Sequence, residues 1–347
     1  MRRILIIFIV SLLGTGTSLY GAGLSLNLDS IAAKGRFPRF CVNTYRWGDR
    51  FFNTYDSAYV AGSGTKFNVK LITDSWLNHL TFHIPSQHNI ELLSDPSTTM
   101  GVYLTYLAVS VGYDINVSKL FGRSSRSRQR YQFGFNCALL AVEAYWERND
   151  VGTKLTRFGD RKHLDIDFNG VSMNSWGLDL YYFFNHKRYS QSAAFAYSKI
   201  QRISQGSFYA GFSTYTQDYD IDFSTLPAAM LEHLPDTWAD YHYRVSTHNY
   251  GLRLGYGYNW VFARNWNLAA SISPVVGISD GWVNSQDRAI HFSMYNNAKL
   301  GLVWNHGLWF AGLRGTFDTA IVSDKGTLFM GSNISFTGSV GYRFNLW

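Results

Sequence analysis

Hydrophobic and polar residues alternate along most of this chain, and the alternation predicts a series of half-exposed β-strands. In the segment 250–260, one parity carries tyrosine, leucine and tryptophan, while the other carries glycine, asparagine and one arginine. Successive strand residues point to opposite faces, so each such segment has an apolar face and a small, polar face. Ten segments share this pattern: 66–74, 101–115, 131–147, 173–185, 206–217, 247–261, 266–279, 289–304, 307–322 and 330–346.

The composition of the second face distinguishes a membrane barrel from a soluble sheet. A soluble sandwich would present Lys, Glu and Thr to water, whereas here the second face carries residues such as Gln132, Gly134 and Asn136. Small polar residues suit a crowded barrel interior, and leucine and aromatic rings suit a lipid-facing exterior. The predicted fold is therefore all-β, an antiparallel transmembrane β-barrel, closed because an open edge in hydrocarbon would leave backbone groups unpaired. A soluble sandwich or lipocalin-like barrel is the alternative.

The predicted barrel has about ten strands, and twelve is the alternative count. Segment 189–202 interrupts the up-and-down order, and it either fuses with the following strand or forms a periplasmic or lumenal insert of helical character. If 79–84 is a separate strand, the count becomes twelve. Short connections are expected at the periplasmic end and long ones outside. This rule places 148–165, 216–246 and 280–288 outside, and the arginine-rich turn 123–130 on the periplasmic side.

The N-terminus predicts export to the cell outer membrane. Residues 1–23 combine a basic start, an apolar run and small residues, as in a secretory signal peptide. Residues 24–65 follow as an irregular periplasmic lead-in, and 66–347 form the barrel. The lead-in could be a plug, a partner-binding strip or a structural segment packed into the barrel mouth. Aromatic residues make up 17% of the chain, and several tryptophans lie near strand ends, where membrane interfaces favour them.

Charge and cysteine content add two expectations. Removal of Arg2 and Arg3 from 31 basic residues leaves 29 against 24 acidic ones, and this mild excess suits anionic lipid headgroups. No nucleic-acid signature accompanies it, so no nucleic-acid partner is predicted. Cys41 and Cys137 could form a disulfide in an oxidising compartment. The apolar surroundings of Cys137 favour a buried or lipid-facing thiol instead.

The best cluster for catalysis lies near the outer end of one strand. Ser246 and His248 share a strand face, with Asp240 nearby, and a hydrolase needs a serine, a histidine base and a carboxylate. These residue types are also ordinary in loops, so enzymatic activity is not favoured. His79 and His83 alternate as in a strand rather than a helix, so no metal site is predicted there, and no cofactor is predicted elsewhere.

Four charged residues are predicted to face the lumen. Arg253, Arg314 and Arg343 lie on the small, polar parity of their strands, and Asp179 is an acidic residue with which they could pair.

Three stretches of the sequence resemble a known family. They are RWGDRFFNTYDSAYVAGSG (46–64), YYFFNHKRYSQSAAFAYSKIQRISQGSFYAGFS (181–213) and GYGYNWVFARNW (255–266). Together they resemble the uncharacterised outer-membrane β-barrel family known as domain of unknown function 4421. The similarity extends from about residue 34 to 347. It implies an outer-membrane barrel of a Gram-negative bacterium and implies no activity.

Three functions agree with this sequence. A structural or partner-binding barrel is favoured, because a barrel of about ten strands has a narrow lumen. A small-solute or anion-selective pore is the alternative, and a lipid- or lipopolysaccharide-modifying hydrolase is the third. The predicted partners are outer-membrane lipid, lipopolysaccharide, the barrel-assembly machinery and an unidentified protein.

Overall fold

The computed structural model describes residues 28–83, 89–117, 128–150, 152–168, 170–234, 241–283, 289–324 and 327–346, and the predicted signal peptide lies outside them. The strands are β1 (Val60–Gly62), β2 (Phe67–His83), β3 (Ile90–Ser94), β4 (Ser97–Tyr106), β5 (Val109–Asn116), β6 (Arg128–Asn136), β7 (Leu140–Asn149), β8 (Thr153–Phe158), β9 (Arg161–Phe168), β10 (Val171–Phe183), β11 (Lys199–Gln201), β12 (Gln205–Asp222), β13 (His242–Ala263), β14 (Trp266–Val283), β15 (Ala289–His306), β16 (Trp309–Asp324) and β17 (Thr327–Phe344). The helical segments are α1 (Leu28–Ala32), α2 (Arg36–Phe52), a π-helical turn (Ser192–Ala196) and α3 (Ala228–Leu231). Within the described ranges, no helix is long and apolar enough to cross a membrane.

Twelve of these strands close into one antiparallel barrel. Their order is β2-β4-β5-β6-β7-β10-β12-β13-β14-β15-β16-β17, and β17 pairs again with β2 over its whole length. Closure gives every barrel strand two neighbours, which satisfies the backbone in a setting without water. The count is therefore twelve, the alternative, rather than ten.

The two further strands come from turns without a conventional turn residue. Segment 101–115 folds back at Leu107, whose φ is 53°, and so contributes to both β4 and β5. Segment 131–147 likewise divides between β6 and β7 at residues 137–139. Leucine rarely adopts a left-handed backbone, so an apolar residue there gives no signal of a turn. Residues 79–83 are not a separate strand, because they complete β2.

The apolar face of each barrel strand points outward, as its composition predicts. In β13, the side chains of Tyr250, Leu252 and Leu254 are exposed, whereas Gly251 and Arg253 are buried. The same division continues around the barrel and leaves a belt of exposed leucine, isoleucine, valine and aromatic residues on its outer surface. This is the division expected of a barrel solvated by lipid.

Aromatic side chains lie along both edges of this belt. One row contains Tyr113, Tyr131, Trp146 and Trp176, and the other contains Trp309, Tyr342, Phe344, Phe67 and Tyr106. In β13, ten residues separate Tyr250 from Trp260, which is about 34 Å of strand. At a tilt of about 40° this becomes roughly 25 Å along the barrel axis, the height of a lipid-facing band.

The two ends of the barrel differ. The start of β2, the end of β17 and the short turns lie at one end, here called the terminal end. The described parts of 148–165, 216–246 and 280–288, which were expected to share one side of the membrane, lie together at the other end, the loop end. The long connection 184–204 lies at the terminal end. β6 also starts at the loop end, so Arg128 and Arg130 lie there and not with the short turns as expected, whereas residues 123–127 lie outside the described residues. The parity count had missed the turn at Leu107.

An apolar core lies at the loop end and bridges β2 and β17 to β12 and β13. β3, β8 and β9 extend the sheet from β2, and α3 packs with them. The buried residues of this core include Leu80, Phe82, Leu92, Leu155, Phe168, Ile221, Phe223, Met230, Tyr243 and Phe329. The loop end is therefore held by side-chain packing rather than by loops alone.

The lead-in contains regular structure that the sequence pattern did not predict. The chain divides into two compact units, one ending at Gly48 with residues 346–347 and the other spanning Asp49–Asn345. In the first unit, the guanidinium of Arg46 lies 2.7 Å from the carboxylate of Asp29, which joins α2 to α1. Most of the sequence expected to be irregular between residues 28 and 52 is thus helical.

Candidate functional site: a plugged lumen

Residues 184–204 connect β10 to β12 and fold into the barrel lumen at the terminal end. The π-helical turn lies within this segment, and Tyr189, Ala194, Phe195 and Tyr197 are buried. Phe195 packs on Ala269 of the barrel wall. Of the alternatives for 189–202, the lumenal insert of helical character is confirmed. We call residues 187–202 the plug.

Hydrogen bonds fix the plug to the barrel wall. The guanidinium of Arg343 donates to the backbone carbonyl of Tyr197, with an Nη2–O distance of 2.8 Å, and Arg343 is fully buried. The Ser339 hydroxyl donates to the Tyr197 phenol at 3.0 Å. On β13, four strands away around the barrel, the Asn259 amide donates to the Ser190 carbonyl at 2.9 Å. Buried polar contacts of this kind favour a single position of the plug.

Glycines on the inner face make room for the plug. A Cβ atom at Gly312 would lie 2.4 Å from the Tyr197 phenol oxygen, and one at Gly257 would lie 2.3 Å from the Tyr189 phenol oxygen. At either position a larger residue would have to displace the tyrosine ring. The aromatic rings of the plug therefore explain why glycine occupies these two positions on the inner face of the barrel.

Gly312→Val is expected to destabilise the folded protein by about 1–3 kcal/mol, because the new side chain overlaps Tyr197. The measurement is the denaturant midpoint at which the fast-migrating band of the unheated protein disappears in a detergent gel. Gly315→Val in the same strand is the matched control, because a Cβ atom at Gly315 would have nothing within 4 Å of it. Equal midpoints for the two variants would contradict the contact between Gly312 and the plug.

The lead-in joins the plug. β1 pairs with β11 from Val60↔Gln201 to Gly62↔Lys199, and the Asp56 amide donates to the Lys187 carbonyl at 2.8 Å. The Gln201 side chain donates to the Arg188 carbonyl at 2.7 Å and accepts from Asn259. All three stretches that carry the family resemblance therefore meet at the terminal end of the barrel.

A cavity of about 290 Å³ lies in the lumen above the plug. Gln191 and Phe195 of the plug line it from below, and Leu80 and Tyr219 line it on the side of the loop end. Its charged lining is balanced, with six basic and six acidic residues: Lys70, Arg128, Arg130, Arg253, Lys299 and Arg314, and Asp74, Asp114, Glu143, Glu147, Asp179 and Asp318.

The predicted lumen arginines have three different partners. Arg253 is 1% exposed, and its guanidinium lies 2.8 Å from the Asp179 carboxylate. Arg314 donates to the Thr337 hydroxyl at 3.2 Å, and Arg343 holds the plug. Asp179 therefore pairs with one of the three arginines.

Most other cations in the cavity are also paired. The Arg128 guanidinium makes two hydrogen bonds to Glu147, at 2.7 and 3.0 Å, and Lys299 lies 3.7 Å from Glu143. Among the described residues, neither Lys70 nor Arg314 has a carboxylate at ion-pair distance. Lys70 instead lies over the rings of Tyr103 and Tyr197, and the Arg314 Nε has no hydrogen-bond partner.

A family model matches most of the chain and identifies its family. Residues 54–344 match the model of the family described as Domain of unknown function (DUF4421). The chain belongs to the DUF4421 family. The matched range begins in the lead-in segment that joins the plug and ends with the last barrel strand, so it includes the plug. No curated protein sequence matches this DUF4421 chain.

Several solved outer-membrane proteins are similar to this DUF4421 barrel in fold. The outer membrane protease OmpT from Escherichia coli is 8% identical with a TM-score of 0.36, covering 82% of this chain and 98% of OmpT. The COG4313 outer membrane channel from Pseudomonas putida F1 is 9% identical with a TM-score of 0.37, covering 83% and 100%. The P. putida toluene transporter TodX is 10% identical with a TM-score of 0.30, covering 86% and 98%. At these identities and TM-scores, the similarity assigns no function to this chain.

The candidate catalytic residues lie outside the lumen. In β13 the inner parity is buried, while Ser246 and His248 belong to the outer parity. The Ser246 hydroxyl donates to the Asp218 carboxylate at 2.6 Å, and no hydrogen bond links it to His248 in the described part of the chain. Asp240 lies outside the described residues. The two described members of the cluster are thus not arranged as nucleophile and base.

Both cysteines are free. Cys137 lies in the turn between β6 and β7, where its sulfur accepts from the Leu140 amide at 3.2 Å. Burial raises the pKa of the Cys137 thiol. A protonated, buried thiol agrees with the structural interpretation of this residue and gives it little reactivity.

Proposed function

We propose that this DUF4421 protein is an outer-membrane β-barrel with a lumen closed at rest, acting as a structural or partner-binding component. Export by the N-terminal signal peptide in a Gram-negative bacterium is part of the proposal. The closed ladder of twelve strands and the belt of exposed apolar residues support the membrane location. Lipid and lipopolysaccharide would surround the belt, and β17 would be the strand presented to the barrel-assembly machinery.

The plug is the observation that carries this proposal. An open pore needs a continuous aqueous path, whereas the plug is buried and is hydrogen-bonded to two separate strands of the wall, β13 and β17. The surfaces left for function are then the two ends of the barrel, where an unidentified protein partner would bind.

Wild-type protein reconstituted into a planar lipid bilayer is therefore expected to carry no steady current. The measurement is single-channel recording in potassium chloride, with insertion verified by the gel shift between unheated and boiled protein. A steady, ohmic current through every inserted molecule would contradict a lumen closed at rest.

Passage of small anions is the second candidate, and it rests on Lys70 and Arg314. Both face the cavity without a carboxylate partner at ion-pair distance among the described residues, so their cationic groups can contact a small anion directly. In a barrel lacking the plug, Lys70→Met with Arg314→Met should shift ion selectivity towards cations. Lys299→Met with Glu143→Gln is the matched control, because it removes one ion pair with no change in net charge. Equal reversal potentials for the two double variants would contradict anion selectivity by Lys70 and Arg314.

Hydrolysis of lipid is the least supported of the three functions. Ser246→Ala and His248→Ala are expected to leave lipid A composition unchanged, because Ser246 binds Asp218 rather than a histidine base. Mass spectrometry of extracted lipid A checks this expectation. A lipid A species lost in both variants would restore the enzymatic interpretation.

A further inference from the structure

We propose that α2 binds the anionic phospholipid headgroups of the leaflet at the terminal end of the barrel. The helix is amphipathic and carries both an aromatic stripe and a set of arginines. Helices of this composition lie in the plane of the membrane interface, with their rings among the acyl chains and their cations at the phosphates. This inference is independent of whether the lumen is closed.

The aromatic stripe is straight and exposed. Phe37, Phe40, Trp47 and Phe51 are 75%, 66%, 63% and 53% exposed, respectively. Their spacings of three, seven and four residues place them on one side of an α-helix. Four large rings on one face of a seventeen-residue helix form an apolar patch whose exposure to water is unfavourable.

Arginines flank this stripe. Arg36, Arg39 and Arg50 lie on the neighbouring side of the helix by the same periodicity, and all three are exposed. Arg46 pairs with Asp29. The aliphatic part of an arginine side chain can cover apolar surface while its guanidinium reaches a phosphate. An anionic lipid surface thus complements both the rings and the charges.

Phe52, the last residue of α2, belongs to the same compact unit as the barrel. The Leu139 amide, in the turn between β6 and β7, donates to the carbonyl of Phe52 at 3.0 Å. This turn belongs to the terminal end, beyond one aromatic edge of the lipid-facing belt. The last residue of α2 is therefore held at the level where headgroups would begin.

The test uses the full-length protein in lipid nanodiscs. Backbone hydrogen exchange of residues 36–52 is compared between phosphatidylcholine alone and phosphatidylcholine with phosphatidylglycerol. We expect exchange at least about tenfold slower with phosphatidylglycerol, and we expect the difference to shrink at high salt because exposed charges are then screened.

Two variants separate lipid binding from folding of the helix. Arg36→Gln, Arg39→Gln and Arg50→Gln together should remove the dependence on phosphatidylglycerol, whereas Arg161→Gln with Lys162→Gln, exposed in β9, should leave it intact. Equal exchange of residues 36–52 in the two lipids would overturn the proposal. Protection that instead depends on protein concentration would assign the aromatic stripe to a second copy of the chain and also overturn it.

Discussion

Replacement of the plug, residues 187–202, by a short Gly-Asn-Gly turn is expected to convert a closed barrel into a conducting one. The ends of β10 and β12 are already adjacent, since Phe183 pairs with Tyr209, so a short turn can join them. Removal of the plug takes the rings of Tyr189, Phe195 and Tyr197 out of the lumen and leaves the polar cavity open at the terminal end. Single-channel recording should then give steady step currents where the wild type gives none.

A deletion of residues 24–48 is the companion experiment. The plug remains covalently joined to the barrel in this variant and keeps its hydrogen bonds to Asn259 and Arg343. We therefore expect it to stay closed. Conductance after the deletion of 24–48, but not after removal of the plug, would assign closure to the lead-in instead.

Arg253→Met is expected to cost about 3 kcal/mol of folding free energy, the largest effect expected of any single substitution in this barrel. Arg253 is 1% exposed, and its guanidinium donates to Asp179 at 2.8 Å, to Ser213 at 2.8 Å and to Ser273 at 2.6 Å. Loss of one partner of a buried ion pair leaves the other charge uncompensated, which is why such losses are large. Urea or guanidinium titration of the refolded protein in detergent measures the effect.

The double variant Arg253→Met with Asp179→Asn distinguishes a lost ion pair from lost packing. Since the uncompensated carboxylate is then gone, we expect it to be more stable than Arg253→Met alone. If Arg253→Met lowers the free energy of unfolding by no more than a typical surface substitution does, the ion pair does not stabilise the barrel and the prediction is wrong.

The face of each strand could be predicted from the sequence, but the number of strands could not. A period of two specifies which side chains share a face, and β13 has the predicted division at every position from Tyr250 to Leu254. The same period continues through a turn when the turn residues are apolar. The pattern therefore did not predict the turns at Leu107 and at 137–139, and it merged two strands into one at each of them.

The lead-in and the plug show two further limits of periodicity. The spacing of Phe37, Phe40, Trp47 and Phe51 is helical, but the turn residues of this segment, Pro38 among them, favoured an irregular structure. Pro38 lies in the first turn of α2, where a proline is tolerated. For the plug, interrupted parity at 189–202 indicated an insert, whereas its position depends on contacts with strands far away in the sequence.

The lumen residues illustrate what parity can and cannot provide. Parity placed Arg253 and Arg343 inside, and Arg253 does lie beside Asp179. The partner of Arg343 is a backbone carbonyl of Tyr197, 146 positions away, and no side-chain pattern indicates a backbone acceptor. The role of Lys70 in the cavity was missed for a related reason, because a single lysine within a strand gives no signal of its surroundings.

Chemical accessibility of the plug tests the central claim most directly. Ser192 is 2% exposed within the π-helical turn, whereas Ser224 at the loop end is exposed. Ser192→Cys and Ser224→Cys are therefore compared in a Cys41→Ser, Cys137→Ser background, with a bulky membrane-impermeant maleimide added to the folded protein. We predict rapid labelling at position 224 and none at position 192 until the protein is unfolded. Equal, rapid labelling of both folded variants would contradict a plug buried in the lumen.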